Sequence, residues 1–208
     1  LLLGRLYARR RQFALAQEAF ENVIHLRGDD AELRAELGAL YQAQNREDLA
    51  IRELKRAVEL EQGNRDARLR LAQIYEKHGR IDYATKELEE ALRFQPNDLL
   101  LNRRLGEMYL QRNDLGRALG VYETLVRLDP KCAELHNQLG RIYLKKDYTS
   151  KAIEHYQQAV QEHKVEPEYR EDLAMAHYCN GDFPSAIVEL KRAAFLDGRN
   201  PEYPKGLG

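Results

Sequence analysis

One spacing constrains this chain more than anything else in it. The segment Leu37-Gly38-Ala39-Leu40-Tyr41 returns as Leu71-Ala72-Gln73-Ile74-Tyr75, Leu105-Gly106-Glu107-Met108-Tyr109 and Leu139-Gly140-Arg141-Ile142-Tyr143, each copy 34 residues after the last. Leu3-Gly4-Arg5-Leu6-Tyr7 and Leu173-Ala174-Met175-Ala176-His177 keep the same step. A second register runs Ala16, Ala50, Ala84, Ala118, Ala152, Ala186, and a third Phe20, Leu54, Leu88, Tyr122, Tyr156, Leu190. A period of this length marks a repeat architecture in which one supersecondary unit recurs.

Within a unit the apolar positions follow helical spacing twice, as in Leu69, Leu71, Ala72, Ile74, Tyr75 and then Ala84, Leu88, Ala91, Leu92. Between the two helices stands Gly79, matched by Asn45, Asn113, Asp147 and Gly181, the residue types that best accept a left-handed backbone; Arg11 departs from that pattern. Second breaks fall at Gly28, Gly63, Pro96, Pro130 and Gly198, with Pro167 expected to close the fifth unit slightly late. The Gly/Ala series lets two helices approach closely, and Leu and Tyr fill the gaps. A helix pair cannot bury its apolar face alone, so pairs must stack.

The residues resemble the tetratricopeptide repeat family over the whole chain: the Leu-Gly pair, the Tyr, the two Ala, the aromatic or Leu and the Pro stand at that family's positions. The resemblance implies an all-α fold, a right-handed α-solenoid (superhelix) of stacked helix-turn-helix units with about twelve helices. The units run 31–64, 65–98, 99–132, 133–166 and 167–200, with 1–30 a first repeat lacking its opening residues and 201–208 the start of a seventh. Both limits cut through a repeat, so the chain is expected to be a fragment of a longer array. A pentatricopeptide array, with its 35-residue step, fits less well.

By the same resemblance, ligands lie along the concave wall of first helices. There the central positions are Gln73, Glu76 and Lys77, then Arg103, Glu107 and Gln111, then Asn137, Arg141 and Lys145. These positions vary between units while the packing positions do not, which is what a shared backbone with separate contacts requires. Arg forks can take carboxylates and Asn or Gln can hold peptide backbone, so an extended, partly acidic segment of a partner protein is the expected ligand. The competing reading is a solvated helical face with internal pairs, such as Arg103 with Glu107 at i, i+4. The family members that hold acidic chaperone C-termini place Lys, Asn, Asn, Lys and Arg on three successive first helices. Neither Leu69, Gln73, Arg104, Glu134, Gln138 nor Arg103, Glu107, Gln138, Glu168, Asp172 reproduces that set.

Composition narrows the rest. With 33 Lys+Arg against 34 Asp+Glu in 208 residues there is no bulk basic field, so nucleic acid is not an expected partner. No apolar run approaches the roughly 18 to 20 residues of a membrane span, so no direct insertion is expected. Two cysteines, Cys132 and Cys179, are too few for a disulfide framework and point to a reducing, cytoplasmic setting. The six histidines lack metal-ligand spacing, and no phosphate loop or nucleophile arrangement is present, so no cofactor, metal or catalytic residue is expected. The expected activity is a non-enzymatic scaffold that assembles a complex. The alternatives are the substrate-recruiting arm of a larger enzyme, such as a glycosyltransferase, and end-to-end self-association. Gly116 and Gly120, both in one second helix, suggest either a local hinge or close packing on a small neighbour.

Overall fold

Stacked helical pairs are what these repeats form. The structure, a computed structural model, describes residues 1–198, and the expected start of a seventh repeat at 201–208 lies outside them. Among the described residues there are twelve helices and no strand: α1 (Leu2–Arg9), α2 (Phe13–Arg27), α3 (Ala31–Ala43), α4 (Glu47–Leu60), α5 (Arg65–Lys77), α6 (Ile81–Phe94), α7 (Leu99–Gln111), α8 (Leu115–Leu128), α9 (Ala133–Lys145), α10 (Thr149–Glu162), α11 (Pro167–Cys179) and α12 (Phe183–Leu196). They fall into two compact units, Leu1–Met108 and Tyr109–Gly208.

The ends of the helices follow from local chemistry. Asp30, Asn64 and Asp98 accept from the backbone N–H three residues on and so cap α3, α5 and α7, and Asp114 and Asp182 do the same for α8 and α12. Each turn inside a pair is a Schellman motif. Asn45 has φ 58°, its N–H donates to the Gln42 carbonyl, and the next N–H, Arg46, donates to Tyr41. Gly79, Asn113, Asp147 and Gly181 take the same left-handed backbone, as their residue types predict. Arg11 takes it as well, at φ 58°, because the same pair of hydrogen bonds closes this turn without a permissive residue there. Pro167 does not close the fifth unit. It opens α11 at the first helical position, where its missing N–H leaves no bond unmade.

In the first unit, Ala16, Phe20, Leu37, Ala50, Leu54, Leu71, Ala84 and Leu88 are all 2% exposed or less, so the repeated registers are the core. A Cβ on Gly38 would stand 2.5 Å from Leu54 Cγ, which fixes how closely α3 and α4 cross. In the second unit the same contact is Gly140 against Tyr156, at 2.8 Å. Leu190 breaks the register: it is 51% exposed, as are its neighbours Phe183 and Ile187 to a similar degree. Among the described residues α12 packs on α11, whereas α10 is covered by both α9 and α11. Gly116 and Gly120 are not tight contacts. The nearest atom to a Cβ on Gly116 is 3.7 Å away, and nothing lies within 4 Å of one on Gly120, so close packing is not their reason.

Candidate functional site

Within each unit the first helices of successive pairs touch: α3 meets α5, and α9 meets α11. Their side chains at the junctions decide what a ligand would encounter.

In the first unit Arg5 of α1 reaches α3, its Nε donating to Glu36 at 2.6 Å and its Nη2 to Glu32 at 2.5 Å. A cavity of about 110 Å³ lies beside this clamp, lined by Ala35, Ala39, Asp66 and Arg70 among others. Arg70 donates to the amide oxygen of Gln42, Oε1, at 3.1 Å. Lys77 donates to Glu47 at 2.6 Å, and His78 meets the other oxygen of the same carboxylate. Those two hydrogen bonds hold the Glu47 carboxyl below its ordinary range. Gln73, Glu76 and Arg103 are half-buried on α5 and α7. Glu107, also half-buried, lies 3.4 Å from Arg104, three residues earlier.

In the second unit Arg141 of α9 repeats the clamp four repeats on. Its Nε donates to Asp172 at 2.9 Å and its Nη2 to Glu168 at 2.6 Å, the positions of Glu36 and Glu32. Asn137 is 2% exposed and donates to the same Asp172 at 2.9 Å, while its Oδ1 has no partner among the described residues. Asn137 and Arg141 therefore converge on one carboxylate and tie α9 to α11. Gln111 is exposed and Lys145 reaches solvent at the end of α9.

A second set of polar residues escapes sequence reasoning. Arg34 donates to Glu53, Arg68 to Glu87 and Arg170 to Glu189, at 2.6 to 2.8 Å, each pair 19 residues apart and each linking the two helices of one hairpin. At the corresponding place in the fourth repeat Asn102 bonds the backbone carbonyls of Pro96 and Asp98 instead. In the next repeat the pair is His136 and His155, with their Nδ1 atoms 3.1 Å apart. His136 Nε2 lies 3.0 Å from the Pro130 carbonyl, which has no proton to give, so that nitrogen is the donor. In the neutral pair His136 Nδ1 then accepts from His155 Nδ1–H, an assignment that follows from the hydrogen-bond network.

The His155 ring stacks on Tyr143 with centroids 5.4 Å apart, and Tyr143 donates to Glu123 at 2.6 Å. Burial, then the facing His136, pushes the His155 pKa down. Burial, then Glu123, pushes the Tyr143 phenol up to about 12. The signal for these rungs was present as a residue pair recurring at 34, 53 and their successors. It is masked because Arg–Glu in three repeats becomes His–His in another.

A family model described as "Tetratricopeptide repeat" matches residues 1–64 and 138–204, another of the same description residues 48–105, and one described as "TPR repeat" residues 106–147. No curated protein matches the sequence. Among solved structures, one described as "Crystal structure of MamA protein" is 18% identical with a TM-score of 0.71, covering 86% of this chain and 97% of that one. MamA 41-end from Desulfovibrio magneticus RS-1 is 22% identical with a TM-score of 0.68, covering 83% and 98%. YrrB, described as "a TPR protein with an unusual peptide-binding site", is 18% identical with a TM-score of 0.74, covering 89% and 94%. At these identities the likeness is one of fold.

Proposed function

Since the chain belongs to the tetratricopeptide repeat family, we propose that it is a non-enzymatic interaction scaffold that holds an extended, partly acidic segment of a partner protein along its first helices and so brings that partner into an assembly. The repeat limits 1–30, 31–64, 65–98, 99–132, 133–166 and 167–200 belong to the same proposal. The carrying observation is a single helical position that differs across the five repeats from 31 to 200: Ala39, Gln73, Glu107, Arg141 and Met175 all reach solvent, while the Leu and Gly/Ala residues beside them stay buried, and only Arg141 returns the residue of the first repeat, Arg5. Packing fixes the buried neighbours. It places no such demand on the solvent-reaching ones, which are free to recognise different parts of a ligand.

Gln73, Glu76, Lys77, Arg103 and Glu107 serve this role in the first unit, and Gln111, Arg141 and Lys145 in the second, where Asn137, 2% exposed, acts from beneath by holding Asp172 beside Arg141. Several of the cations are already paired within the protein. A paired guanidinium keeps further N–H donors, and a backbone carbonyl or a second carboxylate can use them. Arg141 supports α9 against α11, so its replacement would disturb the fold as well as the surface. The test therefore uses Arg103→Glu together with Lys145→Glu, with circular dichroism to establish that the helices are retained. Affinity capture from a lysate, quantified against the unsubstituted protein, should lose a defined partner. Equal recovery of every captured protein contradicts the proposal.

A further inference from the structure

Two cavities in this molecule are the same place in two repeats. The first lies among α2, α3 and α4, has a volume of about 300 Å³, and includes Arg34, Tyr41 and Glu53 in its lining. The second lies among α10, α11 and α12 and measures about 600 Å³. Every residue lining the first, advanced by four steps of 34, lines the second. Part of the enlargement follows from one substitution in the series: Tyr41 of the first is His177 of the second, a shorter side chain.

The chemistry differs most in the acids that face the arginines; Glu59, which accepts from Arg56 Nη1 at 3.0 Å, is replaced by Phe195. In the first cavity's repeat the Asp29 carboxylate bridges two guanidinium groups, accepting from Arg34 Nε at 2.5 Å through one oxygen and from Arg56 Nε at 2.8 Å through the other. Both arginines recur four steps on, as Arg170 and Arg192, and both line the second cavity. Asp29 does not recur. Its counterpart is Val165, which is 69% exposed. Arg170 Nε and Arg192 Nε are buried and have no hydrogen-bond partner among the described residues.

The other half of each guanidinium is placed as at the earlier site or held firmly. Arg170 Nη1 donates to Glu189 Oε2 at 2.8 Å, as Arg34 does to Glu53, and Arg192 Nη1 donates to Glu189 Oε1 at 2.7 Å. The two arginines are thus oriented by a buried acid while both Nε–H groups lack the acceptor that their counterparts have. The local charge agrees: Arg170 and Arg192 share one carboxylate, Glu189, whereas Arg34, Arg52 and Arg56 share three, Asp29, Glu53 and Glu59, and Lys164 stands where the earlier site has Gly28. A buried N–H donor left unpaired is costly, and a charge-assisted bond to a carboxylate is the strongest way to satisfy it.

We propose that the cavity among α10, α11 and α12 is a carboxylate-binding site for a partner protein, with Arg170 Nε–H and Arg192 Nε–H donating to the two oxygens as Arg34 and Arg56 donate to Asp29. The carboxylate is that of an acidic residue or of the partner's own carboxy terminus, and the site is separate from the face of the first helices.

The arginine Nε–H resonances of the 208-residue chain provide the readout, titrated with two short peptides. One has a single internal aspartate and blocked ends. The other has a free C-terminal carboxylate, a blocked amino end and no acidic residue. The Arg170 and Arg192 signals should shift together and saturably with at least one of them, and the peptide that binds identifies the source of the carboxylate. Arg34 and Arg56, already occupied by Asp29, should not move. Val165→Asp should restore the arrangement of Asp29 with Arg34 and Arg56, raising the melting temperature and abolishing the response. Arg192→Gln should weaken binding roughly tenfold or more, as loss of one charged donor implies. The proposal is overturned if neither peptide shifts Arg170 and Arg192, if the response survives Val165→Asp, or if Arg34 and Arg56 respond equally.

Discussion

The two compact units carry one framework with two different polar fillings. Arg5 with Glu32 and Glu36 in the first unit, and Arg141 with Glu168 and Asp172 in the second, are the same clamp four repeats apart. Around Arg34 and Arg170 the units part ways: the first balances its arginines with Asp29, Glu53 and Glu59, the second with Glu189 alone. The interhelix rung diverges further in the second unit, where His136 and His155 replace an Arg–Glu pair. The difference teaches that the 34-residue step dictates backbone and apolar packing, while polar partners one layer out are exchanged between repeats, and where an exchange leaves a buried donor unpaired, as at Arg170 and Arg192, it leaves a place for a ligand's acceptor.

The largest expected effect separates the units at their shared acid. Glu189→Gln leaves Arg170 and Arg192 with no carboxylate from the pair or from position 165, and should destabilise by about 3 kcal/mol, the scale for breaking a buried pair. Glu53→Gln should cost roughly half as much, because Asp29 still holds Arg34. Urea unfolding of both variants checks this, and equal losses would break the comparison.

Acid should come next, and it should act on the second unit. The folded His155 pKa lies below its ordinary value of 6.5, so the unfolded protein binds the proton first. Stability from this group is therefore complete above about pH 6.5 and is lost as the pH falls toward the depressed folded value. Charged groups near the pair are Glu123 from α8, and Lys151 and Glu154 on α10 itself. The acids that α11 brings to α9, Glu168 and Asp172, are engaged by Asn137 and Arg141. Hydrogen exchange at pH 5.5 against pH 7.5 should show lost protection in α9 and α10 beyond that in α3 and α4, where the rung is Arg34–Glu53. His155→Gln should remove the excess.

Smaller effects probe the turns and helices. Arg11 holds φ 58° where the fourth step on has Asp147, so Arg11→Gly should stabilise the first unit by about 1 kcal/mol, read from thermal unfolding. In the second unit Gly120→Ala meets open space and should add about 0.5 to 1 kcal/mol. If it instead rigidifies α8 so that partner capture is lost, the hinge expected from Gly116 and Gly120 gains its support.

Much of the fold was legible because its determinants are local and repeated. Helix pairing follows from Leu37, Gly38 and Ala50 and their copies, and the turns from Asn45, Gly79 and Asp147, since each acts through nearest neighbours. Arg11 escaped that logic because hydrogen bonding across the turn can override a residue's own preference. Pro167 was misplaced because the same missing N–H that ends a helix is harmless at its start. The candidate site was less legible. Sequence variation marks Gln73, Glu107 and Arg141 as solvent-reaching, but it does not reveal that Arg141 and Asn137 meet on Asp172, a contact between helices 31 to 35 residues apart. Nor does it show that Asp29 reaches both Arg34 and Arg56, the arrangement on which the carboxylate site rests.

Photo-crosslinking most directly tests whether the first helices receive a partner. A benzophenone group at Gln73, Gln111 or Lys145 should capture one defined partner segment, identified by mass spectrometry as an extended stretch containing acidic residues. The same group on the second helices, at Lys55 or Lys86, should capture none of it. Capture of that segment from Lys55 or Lys86 but not from the first helices would contradict the account.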